Sequence, residues 1–313
     1  MVTNLKYVFI GGSYRGYKVF MSLVDKAVLP SLFFILKEDD HEENKYSELI
    51  EQKCIDYSVE YRICKKLNND DYSKIKKRQW DFGIVCGWRT IIDLSINKYF
   101  KAGLIAAHDS LLPNYRGFAP LNWSIINGES KTGVTLFQIN DGNVDSGDII
   151  NQTEIIIEGN DYAIDVYEKI TTATVELIEK FIYDFKDGTW SLTPQDESLA
   201  TYTCKRTPED GKINWDKSSK DIYNLIRGLA TPYPGAYCVY NNRTFHIQRA
   251  IIGPQNNKNF IGRISGKVIS ILEDGIEILC GSGTIVIQLW EDKENHIVCK
   301  PSEIIKSISV NLK

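Results

Sequence analysis

The stretch Gly103-Leu104-Ile105-Ala106-Ala107-His108-Asp109-Ser110-Leu111-Leu112-Pro113-Asn114-Tyr115-Arg116-Gly117-Phe118-Ala119-Pro120 sets a short apolar run directly against a polar, turn-rich segment. An apolar run of this length, bounded by turn signals, reads as a strand buried on both faces of a parallel sheet. His108 then falls at the strand's carboxyl end, the edge where open α/β sheets bind ligands. Downstream come Leu121-Asn122-Trp123, the strand-like Gly133-Val134-Thr135-Leu136-Phe137 and the loop Asp141-Gly142-Asn143-Val144-Asp145-Ser146-Gly147-Asp148. That loop is expected to open on the same edge and set a carboxylate beside His108. Imidazole titrates near neutrality and a carboxylate can orient it, so such a pair suits proton transfer. A lone histidine after a strand is more often structural, but two Asp-bearing loops beside it argue for chemistry.

Working outward, residues 7–10, 31–37 and 82–86 have the same nearly unbroken apolar character. Between the first two, Tyr17, Phe20, Met21 and Val24 recur at helical spacing. Strand, helix and strand in this order predict right-handed crossovers in a Rossmann-like, open and mostly parallel α/β sheet. Residues 134–139 and 149–157 add strands, and Val166, Ile170, Ala173, Leu177 and Phe181 mark a long helix ending near Asp187-Gly188. Residues 188–217 are rich in Thr, Ser, Pro, Asp and Glu without periodicity and read as a linker. Ile222, Leu225, Ile226 and Leu229 lie on one face of a short helix that Ser218 or Ser219 can cap. Thr231-Pro232-Tyr233-Pro234-Gly235 stops it, and the rest alternates strands with polar turns, as a small OB-like β-barrel does. The expected organisation is an α/β catalytic domain over 1–187, a linker over 188–217 and a β domain over 218–313.

Composition narrows the classes. With 313 residues, 43% apolar and 25% charged, the chain is ordinary globular protein, which excludes disorder as its main character. Lys and Arg number 37 against 41 Asp and Glu, so no strong pull toward a phosphate backbone is built in. No run approaches the ~20 apolar residues of a membrane span, and no leader-like segment opens the chain, so a cytoplasmic location is expected. Seven scattered cysteines without a Cys-x-x-Cys pair, and four histidines, give no metal-ligand pattern, so none is expected. Gly11-Gly12-Ser13-Tyr14-Arg15-Gly16 sits where a dinucleotide fingerprint would, but Ser13 replaces its second glycine, which argues against NAD. The loop is either a plain tight turn or a place where Gly12, Ser13 and Arg15 meet a substrate phosphate or sugar.

The spacing His108-x-Ser110-Leu111-Leu112-Pro113-x-Tyr115-Arg116-Gly117-x-Ala119-Pro120, followed by Gly133 to Phe137 and Val144-Asp145-Ser146-Gly147-Asp148-Ile149, resembles the formyltetrahydrofolate-dependent formyltransferase family. Its members include methionyl-tRNA formyltransferase and enzymes that formylate an amino group on a nucleotide-linked sugar. The likeness extends to Gly87-Trp88-Arg89, to Arg206-Thr207-Pro208-Glu209-Asp210-Gly211 and to the segment from Arg227 to Gly235, and so to nearly the whole chain. It implies an Asn-His-Asp trio in which His108 is the acid/base and Asp145 orients it. The position of the asparagine is held by Ala106. In the family that amide bonds the formyl oxygen, and losing one such donor typically costs roughly 10²–10³ in rate. Three explanations stand: a branch with its donor elsewhere (a backbone amide, or Asn122), an inactivated variant, or a protein that binds without turnover.

The resemblance further implies N10-formyltetrahydrofolate as co-substrate. It places Cys86, Gly87, Trp88, Leu111, Asp141 and Asp145 toward the folate, and Gly12, Ser13, Arg15, Arg116, Asn122 and Arg206 toward the acceptor. The Arg116 fork suits a phosphate, while a salt bridge pinning its loop is the alternative. The run Lys37-Glu38-Asp39-Asp40-His41-Glu42-Glu43-Asn44-Lys45 is acidic where tRNA-binding members are basic. The branch expected is therefore the nucleotide-sugar N-formyltransferases, acting on a dTDP- or UDP-linked 3- or 4-amino sugar for surface polysaccharide such as lipopolysaccharide O-antigen. Methionyl-tRNA formyltransferase and a non-catalytic folate or nucleotide-sugar binder are the alternatives. No nucleic-acid or membrane partner is expected, and the β-rich C-terminal part is a candidate surface for a homodimer.

Overall fold

The computed structural model describes residues 5–39, 42, 44–254 and 260–313. Asp40, His41 and Glu43 of the acidic run lie outside them. The chain forms two compact units that interleave along the sequence. One takes Met1–Arg116, Gly133–Ile155 and Lys169–Tyr202; the other takes Gly117–Thr132, Ile156–Glu168 and Thr203–Lys313.

In chain order the elements up to the candidate site are β1 (Tyr7–Gly11), α1 (Ser13–Asp25), β2 (Leu32–Leu36), α2 (Tyr46–Asp56), β3 (Glu60–Cys64), α3 (Asn69–Lys76), β4 (Phe82–Cys86) and β5 (Leu104–His108). Then come β6 (Arg116–Gly117), α4 (Pro120–Ile126), β7 (Lys131–Gln138), β8 (Ile149–Ile156), α5 (Ala163–Asp187) and β9 (Tyr202–Thr203). The main sheet runs β3-β2-β1-β4-β5-β7-β8, parallel from β3 through β5. Strand order reverses between β1 and β4, which makes the carboxyl ends of those two strands a topological switch point. Every residue of β1 and β2 is buried, as the unbroken apolar runs require.

Three readings change in the structure. The buried stripe of α1 is Val19, Phe20, Leu23 and Val24, while Tyr17 and Met21 are only partly covered. Tyr17 instead meets Tyr46 of α2, ring centroids 5.7 Å apart. The edge strand β3 escaped the pattern because only Cys64 in Glu60-Tyr61-Arg62-Ile63-Cys64 is buried. The third change concerns β7, which pairs antiparallel to β5 with Ile105 opposite Gln138 and His108 opposite Thr135. Its loop therefore starts at the amino end of β5 and must double back to reach His108.

The acidic run is also less exposed than a solvated loop. Buried Glu38 accepts from the Ser47 amide in the first turn of α2 at 2.9 Å, Asp39 pairs with Lys65 at 2.6 Å, and Glu42 grips the Arg89 fork at 2.6 Å twice.

The second unit continues with α6 (Ser219–Leu229), β10 (Ala236–Tyr240), β11 (Arg243–Ile252), β12 (Val268–Leu272), β13 (Gly275–Leu279), β14 (Thr284–Asp292), β15 (Ile297–Cys299) and α7 (Pro301–Ile304). Its sheet runs β10-β11-β14-β13-β12 with β15 added to β14. The last residues close the gap between its edges. Val268 N donates to Val310 O, Leu312 N to Gly266 O, and Lys313 and Val239 exchange both backbone bonds. Closure removes the free edges of a barrel. Ser218 caps α6 through the Asp221 amide at 3.1 Å, and Ile222 and Ile226 enter the core beside Phe245, Trp290 and Leu312.

Candidate active site

β5 delivers His108 to the sheet's carboxyl edge with its side chain nearly buried. Nε2 lies 2.8 Å from the Tyr115 carbonyl oxygen. A carbonyl only accepts, so Nε2 carries the hydrogen and the lone pair of neutral imidazole is left on Nδ1. Nδ1 faces Asp145 Oδ2 at 3.5 Å. The ring meets Phe137 of β7 edge-on, centroids 6.5 Å apart. The tautomer is thus set by Tyr115, a motif residue to which the sequence assigned no role, and Asp145 is placed to stabilise the charge of a protonated ring.

Both neighbours sit in left-handed backbone, Tyr115 at φ 58° and Asp145 at φ 53°. Non-glycine residues keep such conformations only where their surroundings impose them. Around Asp145, the Asn140 side-chain oxygen accepts from Gly142 N at 3.1 Å and Ser146 Oγ at 3.3 Å, and Ser146 Oγ also donates to Asn143 O at 2.7 Å. Gln138 N donates to Asp148 O at 2.9 Å and closes the base of the loop. Gly147 is obligatory there, because a Cβ would lie 1.6 Å from the Gln138 carbonyl oxygen. Asp141 is exposed on the same loop.

The switch point is built from two crossing turns. Gly12 N donates to Cys86 O at 3.1 Å, and Gly87 has φ 69°, where a Cβ would lie 2.2 Å from Gly12 O. Cys86 is buried, and burial pushes its thiol up to about 12, which makes it inert packing. Trp88 Nε1 and Thr90 Oγ1, just beyond, are buried without a hydrogen-bond partner. Leu111 is partly covered and packs against Gly133. Ser13 begins α1 in left-handed backbone at φ 55°.

Three basic or amide candidates are committed to protein partners. Arg15 forms a two-pronged ion pair with Asp109, Nη2 to Oδ2 at 2.9 Å, so its charge is balanced beside His108 and does not wait for a substrate phosphate. Arg116 is fully buried, bidentate to Glu197 at 2.7 and 2.8 Å, with Gln195 Oε1 and the Tyr202 hydroxyl completing its shell. Its hydrogen bond to Glu197 keeps that carboxyl below the usual range. Of the two uses expected of Arg116, the structure shows the pin. Asn122, in the other unit, is buried with Nδ2 donating to Gly228 O at 2.7 Å, and so clamps α4 to α6.

Ala106 stands two residues before His108, and in a strand residues i and i+2 share a face. Ala106 is only partly covered, unlike Leu104 and Ile105 before it. In the other unit, Arg206 lies over the Trp123 ring at 4.8 Å and donates to Asp210 O at 2.6 Å. It lines a cavity of about 250 Å³ with Phe118, Ala119, Tyr233 and Pro234. Among the described residues no group of three or more His, Cys, Asp or Glu is arranged to hold a metal ion, and no helix is long and apolar enough to cross a membrane.

A switch-point α/β sheet with a histidine and carboxylate at its carboxyl edge has the layout of an acid–base group-transfer enzyme. Residues 37–182 match the formyl transferase family model, and residues 205–308 match that family's C-terminal domain. The chain belongs to the formyl transferase family and is a formyltransferase.

Solved structures share the fold. WlaRD, a sugar 3N-formyl transferase determined in the presence of dTDP and 5-N-formyl-THF, aligns at TM-score 0.69 and 23% identity, over 91% of this chain and 97% of that one. An N-formyltransferase from Helicobacter canadensis, bound to folinic acid and dTDP-3-aminofucose, aligns at TM-score 0.70 and 22% identity over 91% and 99%. HypX from Aquifex aeolicus in complex with tetrahydrofolic acid aligns at TM-score 0.67 and 15% identity over 96% of this chain. This chain spans 47% of HypX, about half its length.

Proposed function

We propose that this chain moves the formyl group of N10-formyltetrahydrofolate to the amine of a nucleotide-linked 3- or 4-amino sugar, dTDP- or UDP-linked, for surface polysaccharide such as lipopolysaccharide O-antigen. The observation that carries the reading is His108 held between the Tyr115 carbonyl and the Asp145 carboxylate. The sugar N-formyltransferases among the similar structures, one of them bound to folinic acid and dTDP-3-aminofucose, support the acceptor and donor classes.

When bound, N10-formyltetrahydrofolate supplies the electrophilic formyl carbon. Trp88 Nε1 and Thr90 Oγ1, two buried donors without partners beside the switch point, would suit the polar edge of a heterocycle. His108 takes the proton of the attacking amine on Nδ1, because Tyr115 keeps Nε2 protonated, and gives it up to N10 when the C–N10 bond breaks and tetrahydrofolate leaves. Asp145 then faces the positive ring and stabilises it. The cavity of Arg206, Phe118 and Tyr233 in the second unit suits an aromatic base beside an anionic group. Nucleic acid is not the acceptor in this reading, and the compartment is the cytoplasm.

The test is incubation with N10-formyltetrahydrofolate and a panel of dTDP- and UDP-linked amino sugars, read by mass for gain of one formyl group. Formylation of charged initiator tRNA, with every sugar unmodified, overturns the proposal. Ala106 favours a second reading, a folate and nucleotide-sugar binder without turnover; it is supported if both ligands bind and no tetrahydrofolate is released.

A further inference from the structure

The segment that joins the end of α5 to the rest of the chain carries no helical or strand periodicity, yet it touches both partners of His108. Gln195 Nε2 donates to Asp145 O and to Gly147 O, each at 2.7 Å. Its other end, Oε1, accepts from Arg116 Nη2 at 2.7 Å and Nε at 3.1 Å. One side-chain amide therefore ties the left-handed turn of the aspartate loop to a wholly buried guanidinium. Six residues on, Thr201 Oγ1 accepts from Tyr115 N at 2.8 Å, and Thr201 O accepts from Arg116 N at 2.8 Å. Thr201 N in turn donates to Pro113 O at 3.2 Å. The turn that offers its carbonyl to His108 Nε2 is thus gripped by the same segment that grips the loop bearing Asp145.

We propose that residues 195–201 form a positioning brace, in which Gln195 sets the distance from Asp145 to His108 Nδ1 and Thr201 sets the Tyr115 carbonyl against Nε2. The inference rests on formyl transfer at His108. Neither residue touches the reacting atoms; both act through the two groups that face the imidazole. The amide of Gln195 is suited to this because it donates at one end and accepts at the other. The loop carbonyls can only accept and the guanidinium can only donate. A carboxylate in its place would satisfy Arg116 and repel the two carbonyls, which separates the loop contact from the contact that orders the segment.

Gln195→Glu tests the claim. It keeps an acceptor for Arg116, so folding is expected to persist, and it removes both bonds to the loop. Displacing a reacting group's partner by a fraction of an ångström to about 1 Å costs roughly 10–100-fold in turnover. We expect kcat to fall in that range while KM for either substrate and the thermal midpoint stay near wild type. Thr201→Val is expected to give a smaller loss of the same kind. Asp196→Asn, which alters the local Ser198 turn and leaves the hydrogen bonds of Gln195 and Thr201 in place, is the control. Wild-type turnover in Gln195→Glu, or a loss that merely follows a fall in thermal midpoint, overturns the brace.

A second readout does not need activity. In 15N-labelled protein, Gln195→Glu is expected to move the His108 ring signals and the Asp145–Gly147 amide signals, leaving those of β1 and β4 in place. Unchanged His108 signals contradict the brace. If the wild-type protein transfers no formyl group at all, the proposed function fails, and the spectra alone decide whether the brace stands.

Discussion

His108 and His246 each commit one ring nitrogen to a backbone carbonyl, and there the likeness stops. His246 Nδ1 meets Pro234 O at 2.5 Å in the β-barrel unit, and its ring stacks on Tyr237 with centroids 5.4 Å apart. Burial is the main reason its pKa falls below the ordinary 6.5; the Pro234 bond opposes the shift, Lys293 adds to it and Glu291 opposes it. His108 has its second nitrogen opposite Asp145, which the loop holds in left-handed backbone. A carbonyl and a stacked ring make a neutral structural histidine. A carbonyl on one nitrogen and a carboxylate facing the other make a histidine of fixed tautomer with an anion beside it, the arrangement of an acid/base.

The sharpest way to break this contrast is to remove each ring. His108→Asn is expected to lower formyl transfer by roughly 10³-fold, within the 10²–10⁴ of a general acid/base, with the thermal midpoint little changed. His246→Asn is expected to leave kcat within a factor of about 3, since it touches no group facing His108, with any effect falling on KM through Pro234 in the cavity wall. Comparable losses in both would erase the distinction, and the measurement is kcat by tetrahydrofolate release.

Next in size is Asp145→Asn, which keeps the shape of the side chain and removes its charge. Turnover is expected to drop roughly 10²-fold, since the imidazolium then forms without a facing anion. The same assay checks it.

Ala106→Asn works in the other direction. Position 106 shares the His108 face of β5 and is only partly covered, so an amide there can reach a developing oxyanion. A rise in turnover of about tenfold or more is expected from one added donor. An unchanged rate would mean that the oxyanion donor lies elsewhere.

The smallest effect is on stability. Because the folded state resists protonating His246 and the unfolded chain does not, the contribution is complete above about pH 6.5 and is lost as pH falls below it. Thermal midpoints are therefore expected to fall between pH 7 and pH 5, and His246→Asn to flatten that fall. An identical slope in the variant contradicts the assignment.

Much of the fold was legible because buried parallel strands announce themselves. Residues 7–10, 82–86 and 104–107 lack polar residues, and all three are strands of the main sheet. In α1, Phe20 and Val24 are buried as read, but Tyr17 and Met21, apolar enough to mimic core residues, are only partly covered, and Tyr17 meets Tyr46 of α2. β3 was invisible because an edge strand needs only one buried residue in five. Within the site, His108 and Asp145 could be read from their motif, but their partners could not. Tyr115 contributes a carbonyl, which any residue type can supply. Asp109 carried a signal, lying next to His108, yet its pairing with Arg15 joins positions 94 apart in sequence. Gln195 lies in a segment whose composition reads as a linker, because hydrogen bonds to backbone carbonyls leave no periodicity to read.

The most direct test of the account is the proton path at His108. Single-turnover formyl transfer to a nucleotide-linked amino sugar should be followed in wild-type protein and in His108→Asn, with both substrates saturating. The account expects a formylated sugar from the wild type and a rate lower by roughly 10³-fold in the variant, with binding of both ligands retained. Equal single-turnover rates in the two proteins would contradict it.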